Sequence, residues 1–204
     1  MDPRLSFSLE ESLDRARRII AMYEKEGVPR SRVLIKLAAT WEGIRCAEIL
    51  EKEGITCNLT LVFGILQAAA AAQAGARLIS PFTGRILDWH KADKKKDVWE
   101  PEEDAGVVEC TRMHQYYKTY GHDTICMPAS WRPSRGAGPN FELDEIRALA
   151  GADRMTVPPN LLEALAKSTE PLPRKLFDEV TRLRTPAQPF SRVDEEIRVT
   201  RPGS

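Results

Sequence analysis

The sequence lacks the features that mark membrane, nucleic-acid-binding and secreted proteins. No hydrophobic run approaches the roughly 18 residues that a membrane-spanning helix needs. Lys plus Arg and Asp plus Glu number 30 each, and without a basic excess nothing favours nucleic acid as a partner. The polar, acidic N-terminus "MDPRLSFSLEE" is unlike a secretory signal. We therefore expect a cytoplasmic protein whose partners are neither membranes nor nucleic acids.

Closely spaced cysteines are also missing. Cys46, Cys57, Cys110 and Cys126 lie far apart, without a CxxC pair, and this spacing favours neither a metal site nor a disulfide framework. We expect reduced, partly buried thiols and no bound metal. The 204 residues, 42% of them hydrophobic, are enough for one domain with a sizeable core.

The chain does contain a regular alternation of short apolar segments and amphipathic helices. Thr40 is a candidate N-cap of the second helix and Gly54 its stop. Strands that alternate with helices through short connections predict an α/β fold with parallel strands. The strands are predicted at residues 33–37, 56–63, 77–80, 124–129 and 154–157, and the helices at 8–25, 40–54, 65–74, 111–120, 143–150 and from 161.

The remaining segments have the composition of loops or tails. The segment "HKADKKKDVWEPEEDAG" (90–106) is charged and is predicted to be a solvated loop, and "RPSRGAGPN" (132–140) is rich in Gly and Pro. Helical periodicity fades after residue 168. We therefore predict a folded domain over residues 1–168 and a weakly structured C-terminal extension over residues 169–204.

Polar side chains lie within or just after four of the predicted strands. In α/β barrels and open α/β sheets, ligands bind at the carboxyl ends of the strands. Side chains near these ends are therefore candidates for a shared site. They are Lys36 in the first strand, Asn58 and Thr60 in the second, Ser80 and Arg85 at and after the third, and Ser130 and Arg132 after the fourth.

Lys36 lies within the apolar run of "RVLIKLAAT". A lysine enclosed by aliphatic side chains is desolvated, and desolvation favours the neutral amine, which is the nucleophile that forms a Schiff base with a carbonyl. The alternative is a lysine whose stem packs while its ammonium group reaches water. The strand pattern alone favours this alternative, whereas the polar residues near the other strand ends favour the nucleophile.

Asn58 and Thr60 are two residues apart, so they share one side of a strand. That side is the inner one if Leu59 and Leu61 pack outward against helices. There Asn58 could orient the amine or a substrate hydroxyl, and Thr60 could hold a catalytic water. Taken alone, the pair is more typical of two satisfied polar residues in a strand.

The arginine and serine candidates suggest an anion site. Guanidinium groups, hydroxyls and backbone amides at loop starts are the donors that a phosphate monoester needs. Each arginine alone is more typical of a solvated loop. The residues in question are Ser80, Arg85, Ser130 and Arg132.

Together these residues resemble the transaldolase family, the Schiff-base aldolase-type enzymes of the pentose phosphate pathway. The matching stretches are "RVLIKLAATWEGIRCAEILEKEGITCNLTLVF", "ARLISPFTGRILDWHK", "PASWR" and "GADRMTVPPNLL", and the similarity covers roughly residues 1–165. It implies a transferase that moves a three-carbon dihydroxyacetone unit from sedoheptulose 7-phosphate to glyceraldehyde 3-phosphate. The products are erythrose 4-phosphate and fructose 6-phosphate, and no metal or organic cofactor is needed.

The resemblance also implies a role for each candidate. Lys36 matches the Schiff-base lysine, Asn58 an asparagine that contacts the intermediate, and Thr60 the threonine that binds the catalytic water. The expected ligand is a sugar phosphate. Ser80 is expected to contact a hydroxyl group of this ligand. The phosphate group of the ligand is expected to bind to Arg85, Ser130 and Arg132.

The chain also departs from the family pattern. The family fold is an eight-stranded (β/α) barrel, and the match begins in the helix before its fourth strand. The resemblance thus implies a partial TIM-type barrel over residues 1–168, built from strands four to eight. The family's catalytic aspartate and glutamate precede the lysine and have no counterpart here. The connection after Arg132 is longer, and Trp131 and His90 replace phenyl or phenol side chains. His90 is expected on a helix surface rather than as a substitute acid or base.

Five parallel strands cut from a barrel have two open edges, and open edges invite pairing. We expect self-association, pairing with a separate chain that supplies strands, or marginal stability. The alternatives to the family reaction are a repurposed aldolase-type activity in specialised metabolism, a non-catalytic partner of a full-length transaldolase, and a piece of a longer chain.

Overall fold

The computed structural model describes residues 2–139 and 141–177. Strands and helices alternate along the chain, as the sequence predicts. The strands are β1 (Ile35–Ala38), β2 (Cys57–Val62), β3 (Leu78–Pro81) and β4 (Ile125–Cys126). The helices are α1 (Leu9–Lys25), α2 (Trp41–Lys52), α3 (Ile65–Gln73), α4 (Thr83–Lys94), α5 (Ala105–Tyr120), α6 (Asp144–Ala148) and α7 (Pro159–Lys167). Short 3-10 turns lie at Pro3–Leu5, Arg30–Arg32 and Phe141–Leu143.

The four strands of the described chain form one parallel sheet in the order β1-β2-β3-β4. Helical crossovers join each strand to its neighbour: α2 connects β1 to β2, α3 connects β2 to β3, and α4 with α5 connects β3 to β4. Sequential parallel strands, each followed by a helix, are the repeating unit of a (β/α) barrel wall. The predicted α/β fold class, a partial TIM-type barrel, is confirmed.

The strand register separates two faces of the sheet. Residues paired across parallel strands share a face, and alternate residues point to opposite faces. One face packs against α1, α2, α3 and α5 in a core cluster that includes Ile35, Leu37, Cys57, Leu59, Ile79 and Cys126. The opposite face, called the inner face below, carries Lys36, Ala38, Asn58, Thr60, Leu78, Ser80 and Ile125.

The first crossover helix begins at the cap that the sequence predicts. The Thr40 hydroxyl accepts a hydrogen bond from Gly43 N at 3.0 Å and donates one to Ser6 O at 2.6 Å. The first bond satisfies one of the free N–H groups in the first turn of α2. The second ties the N-terminal segment to the carboxyl end of β1. Thr40 therefore fixes α2 against the strand that carries Lys36.

A second core cluster lies beyond β4. Trp131, Leu149 and Leu176 are buried in it together with residues of α5, α6 and α7. Residues 169–177 form neither helix nor strand, yet Lys175 N and Leu176 N both donate to Ala150 O, at 2.7 and 3.0 Å. The boundary at residue 168 stays a prediction, and residues 178–204 of the predicted extension lie outside the described residues.

The fifth predicted strand, at residues 154–157, is wrong. No strand forms there; a single backbone bond, from Thr156 N to Pro128 O at 3.1 Å, joins the segment to the chain after β4. The Thr156 carbonyl oxygen instead accepts from Trp131 Nε1 at 2.7 Å, and Pro158 has no N–H group to extend a ladder. Both features end strand pairing after the first bond.

The charged segment 90–106 is only partly the loop that its composition predicts. Helix α4 continues to Lys94 and α5 begins at Ala105, which leaves residues 95–104 between them. The Asp104 carboxylate caps α5 by accepting from Gly106 N at 2.8 Å and Val107 N at 3.3 Å. Charge density predicts exposure to solvent, but an exposed helix can be charged over much of its surface.

The cysteines are buried and unpaired, as the sequence predicts. Burial raises the pKa of the Cys46 thiol to about 11 and that of the Cys110 thiol to about 12. These thiols therefore stay protonated and unreactive at neutral pH. In the described part of the chain, no helix is both long and apolar enough to cross a membrane.

Candidate active site

Lys36 lies on the inner face of β1, and its side chain is exposed. Ile35 and Leu37 are only 3% and 2% exposed, but they point to the helix-packed face because successive strand residues alternate. The expected enclosure of Lys36 by aliphatic side chains is therefore wrong, since its neighbours in sequence do not surround the amine. The amine makes no ion pair or hydrogen bond with a described residue, so it is accessible to a ligand.

Asn58 is the partner of Lys36 in the register of β1 and β2. Its Oδ1 accepts a hydrogen bond from Ser80 Oγ at 2.9 Å, and both residues are buried. The bond fixes the orientation of the Asn58 amide. The amide N–H groups donate to no described residue and remain available to an oxygen atom of a ligand beside Lys36.

Thr60 follows on the same face, in register with Ala38 and Ser80. Its Oγ1 is buried and has no hydrogen-bond partner. A buried hydroxyl without a partner costs about 1–3 kcal/mol, and a bound water or substrate oxygen would remove that cost. The predicted role of Thr60 in holding a water is compatible with this position and stays a prediction.

Leu61 does not pack outward against helices as expected. It is 44% exposed with a φ of 59°, and the β2–β3 register shifts between Thr60 and Val62. Val62, with 0% exposure, takes the core position instead. The irregularity inserts one residue into β2 after Thr60. A strict alternation of apolar and polar residues cannot reveal such an insertion.

The segment from Ala129 to Arg132 lies directly against the start of α4. Thr83 N donates to Ala129 O and Gly84 N to Ser130 O, both at 3.0 Å. A Cβ atom on Gly84 would lie 2.3 Å from Ser130 O, so only glycine allows this approach. The N–H groups of Ser130 and Trp131 donate to no described residue. Two backbone donors thus remain free beside the Ser130 hydroxyl.

The Arg132 guanidinium is anchored on one side. Its Nε and Nη2 lie 3.2 and 3.1 Å from Asp88 Oδ2, and its Nη1 donates to Trp131 O at 3.0 Å. Arg85 is exposed and makes no ion pair or side-chain hydrogen bond with a described residue. It lies in the first turn of α4, against which Ser130 packs. The fold therefore brings Arg85, Ser130 and Arg132 to the start of one helix.

Glu145 of α6 is close to the same segment. It is 0% exposed, its Oε2 accepts from Arg132 N at 2.6 Å, and its Oε1 has no hydrogen-bond partner. Burial, and then the charge of Asp104, raise the pKa of Glu145 to about 9. Glu145 is therefore an uncharged acid at neutral pH.

Two acidic residues contact Arg132, and the sequence predicts neither contact. Glu145 lies in the first turn of α6, where an acidic residue is the ordinary complement of the helix dipole. Asp88 lies within α4, three residues after Arg85, and its spacing is that of a common helix-surface charge. Neither pattern distinguishes a residue that contacts a site from one that faces water.

Carboxylates are absent from the inner-face positions that the register defines. The His90 ring lies against Trp89 and Trp99, with ring centroids 4.9 and 6.5 Å apart, in the helix-surface position that we expected. Over residues 2–139 and 141–177, no group of His, Cys, Asp and Glu side chains is arranged to hold a metal ion. A catalytic acid or base beside Lys36 is therefore not evident in the described chain.

A match over nearly the whole chain identifies its relatives. A model of the transaldolase/fructose-6-phosphate aldolase family matches residues 1–198. The chain belongs to this family. It is 55% identical over 176 residues to a transaldolase of Cellvibrio japonicus, a match that covers 86% of this chain and 52% of that protein. Transaldolases of Actinobacillus succinogenes and Edwardsiella ictaluri are 51% and 50% identical, over 86% and 88% of this chain and 53% and 54% of theirs.

The chain spans about half the length of the curated relatives it matches. The family match includes every candidate residue from Lys36 to Arg132. In this member of the transaldolase family, those residues form two neighbouring groups. Lys36, Asn58, Thr60 and Ser80 share the inner face of β1 to β3, and Arg85, Ser130 and Arg132 lie at the start of α4. Their catalytic and binding roles stay predictions.

Proposed function

We propose that the chain is a transaldolase-type transferase in which Lys36 forms a Schiff base with a ketose phosphate. The observation that carries the proposal is the pairing of an exposed, unpartnered Lys36 with Asn58 on the inner face. The relatives are transaldolases by name. The proposed reaction is the cytoplasmic transfer of a dihydroxyacetone unit from sedoheptulose 7-phosphate to glyceraldehyde 3-phosphate. It yields erythrose 4-phosphate and fructose 6-phosphate in the pentose phosphate pathway.

The chemistry of this reaction begins at the Lys36 amine. The amine adds to the ketose carbonyl and the carbonyl oxygen leaves as water, giving an iminium ion. The iminium then accepts the electron pair of the carbon–carbon bond that breaks, so no metal or organic cofactor is required. The free N–H groups of Asn58 are suited to bind a substrate hydroxyl. The unpartnered Thr60 Oγ1 is suited to hold the water that leaves and returns.

The phosphate group of the substrate would bind at the start of α4. Arg85 supplies a guanidinium without a partner, and Arg132 supplies one that Asp88 already orients. The free N–H groups of Ser130 and Trp131 add uncharged donors, and convergent backbone N–H groups are a common way to bind anions in proteins. Ser80, buried on the inner face, would contact a substrate hydroxyl.

The inner-face positions that the strand register defines include no carboxylate, and this favours a second candidate function. Cleavage of the carbon–carbon bond needs a base, and general acid–base catalysis typically contributes about 10²–10⁴-fold to a rate. The chain alone would then form the Schiff base but turn over slowly. Such a protein would be a sugar-phosphate-binding partner of a full-length transaldolase, or a homologue with a repurposed aldolase-type activity.

Trapping of the Schiff base tests the proposal. The protein is incubated with fructose 6-phosphate or with dihydroxyacetone, reduced with borohydride, and the adduct is located by peptide mass spectrometry. We expect an adduct at Lys36 that Lys36→Met abolishes and that Lys25→Met, a change at an exposed lysine of α1, leaves intact. Failure of both carbonyl compounds to label Lys36 would refute the Schiff-base mechanism. Labelling without turnover would favour the second candidate function.

We also propose that another chain covers the outer edge of β1, either a second copy or a separate protein that supplies strands. Ile35 N and Ala39 N donate toward the side of β2, to Thr56 O and Thr60 O at 2.8 and 2.7 Å. Because hydrogen-bonding direction alternates along a strand, the N–H groups of Lys36 and Ala38 point away from β2. A strand added at this edge would extend the sheet beside β1, the strand that carries Lys36.

A further inference from the structure

Glu145 is a buried acid that has no part in the Schiff-base chemistry, yet it contacts the backbone of the phosphate site. Its Oε2 accepts from Arg132 N at 2.6 Å, and the residue is 0% exposed. We propose that Glu145 is a positioning residue, which holds the backbone at Arg132 so that the segment from Ser130 to Arg132 presents its donors to the phosphate group of the substrate. The inference rests on the proposed phosphate-binding role of this segment.

The segment is held from two sides, and the two contacts use different groups. On the side of α4, Thr83 N and Gly84 N bind the carbonyl oxygens of Ala129 and Ser130. Glu145 binds the N–H group of Arg132. The N–H groups of Ser130 and Trp131 are then the ones left without a partner. By binding the N–H group of Arg132, Glu145 leaves the N–H groups of Ser130 and Trp131 for a ligand.

The uncharged form of Glu145 suits this position. A carboxylate beside the segment would repel a bound phosphate, whereas a protonated carboxyl still accepts a hydrogen bond through its carbonyl oxygen. Burial is the main cause that raises the pKa of Glu145, and the charges of Asp104 and Asp88 raise it further. The N–H group and the guanidinium of Arg132 act in the opposite direction.

Binding of inorganic phosphate, measured by calorimetry near neutral pH, tests the inference directly. Glu145→Gln keeps an uncharged acceptor for Arg132 N, and we expect affinity within about twofold of the unmodified protein. Glu145→Leu removes the acceptor, and we expect affinity about tenfold weaker, the effect of one lost hydrogen bond in a buried site. The matched control is Asp144→Leu, which removes a buried carboxyl from the same helix turn whose partner is Arg135. Equal losses in the two leucine variants, or no loss in Glu145→Leu, would overturn the inference.

Trapping with dihydroxyacetone separates positioning from a general structural effect. This compound carries no phosphate, so Glu145→Leu should label at Lys36 as fully as the unmodified protein does. A parallel loss of labelling would mean that Glu145 supports the fold as a whole. If no variant is labelled at Lys36, the Schiff-base proposal fails, but the phosphate measurements still test the positioning role of Glu145. If the unmodified protein binds no phosphate, the inference fails whatever Lys36 does.

A comparison across pH decides the matter if Glu145→Leu does not fold. Ionisation of Glu145 should weaken phosphate binding in the unmodified protein, and Glu145→Gln cannot ionise. We expect equal affinities near pH 7 and a several-fold advantage of Glu145→Gln near pH 10. Asp104, Asp88 and the other charged groups around the segment are the same in both proteins. Parallel affinity profiles would therefore show that Glu145 has no influence on the site.

Discussion

Glu145 is a carboxylic acid without solvent contact, and its protonation should therefore couple to folding. Its pKa is raised to about 9 in the folded protein, whereas an unfolded chain exposes the carboxyl at its ordinary pKa of about 4.3. Between these values the folded state binds more protons than the unfolded state does. The free energy of unfolding contributed by Glu145 is thus greatest at low pH and falls as pH rises through this window, by at most about 1.4 kcal/mol per pH unit.

Glu145→Gln should remove this dependence. We expect the free energy of unfolding of Glu145→Gln to exceed that of the unmodified protein by an amount that grows between about pH 5 and pH 8 and levels off above about pH 9. Urea denaturation at several pH values measures the difference. Glu163→Gln, at an exposed position of α7, is the control and should change nothing. Parallel stability curves for Glu145→Gln and the unmodified protein would show that Glu145 is ionised when folded.

Helix α4 packs directly against the backbone of the segment that follows β4. Gly84 lies where a Cβ atom would come within 2.3 Å of Ser130 O and 2.9 Å of Arg132 N. Both neighbours are backbone atoms, which cannot rotate away as a flexible side chain would. A side chain at this position must separate the helix from the segment that carries Ser130 and Arg132.

Gly84→Ala should therefore impair phosphate binding more than it impairs amine chemistry. We expect destabilisation by about 1–3 kcal/mol, as for other overpacked positions, with weaker phosphate binding and retained labelling of Lys36 by dihydroxyacetone. Gly64→Ala is a suitable control, because no atom lies within 4 Å of the added Cβ and this glycine also lies next to a helix start. Calorimetry and borohydride trapping give the two readouts. Unchanged phosphate affinity in a folded Gly84→Ala protein would exclude the proposed site.

The sequence predicts local features of this fold better than contacts between distant segments. The strands around Lys36 and Asn58 and the Thr40 cap depend on residues close in sequence, and they are confirmed within a few residues. The exposure of Lys36 depends on what covers the inner face, and the bulge at Leu61 depends on pairing with β3. The contact of Glu145 with Arg132 joins residues 13 apart through a connection rich in Gly and Pro. None of these three features has a periodic signal.

At the scale of the whole molecule, the sheet has backbone donors that the described chain leaves unpaired. The N–H groups of Lys36 and Ala38 point outward from β1, and Leu34, just before this strand, is 48% exposed. Unpaired strand edges next to apolar side chains favour association with another strand. The four described strands are half of the eight that close a (β/α) barrel, so the outer edge of β1 is where a further strand would add.

Ala38→Pro should weaken such an association without disrupting the β1–β2 pairing. The substitution removes an outward-pointing N–H group and leaves those of Leu37 and Ala39, which point toward β2; proline is tolerated on an edge strand in this orientation. Light scattering across a range of protein concentrations should find dimers or larger species for the unmodified chain and a shift toward monomer for Ala38→Pro. Ala38→Val, which keeps the N–H group and favours extended backbone, should associate as the unmodified chain does. A stable monomer at every concentration would contradict self-association and leave a separate partner chain as the remaining way to cover this edge.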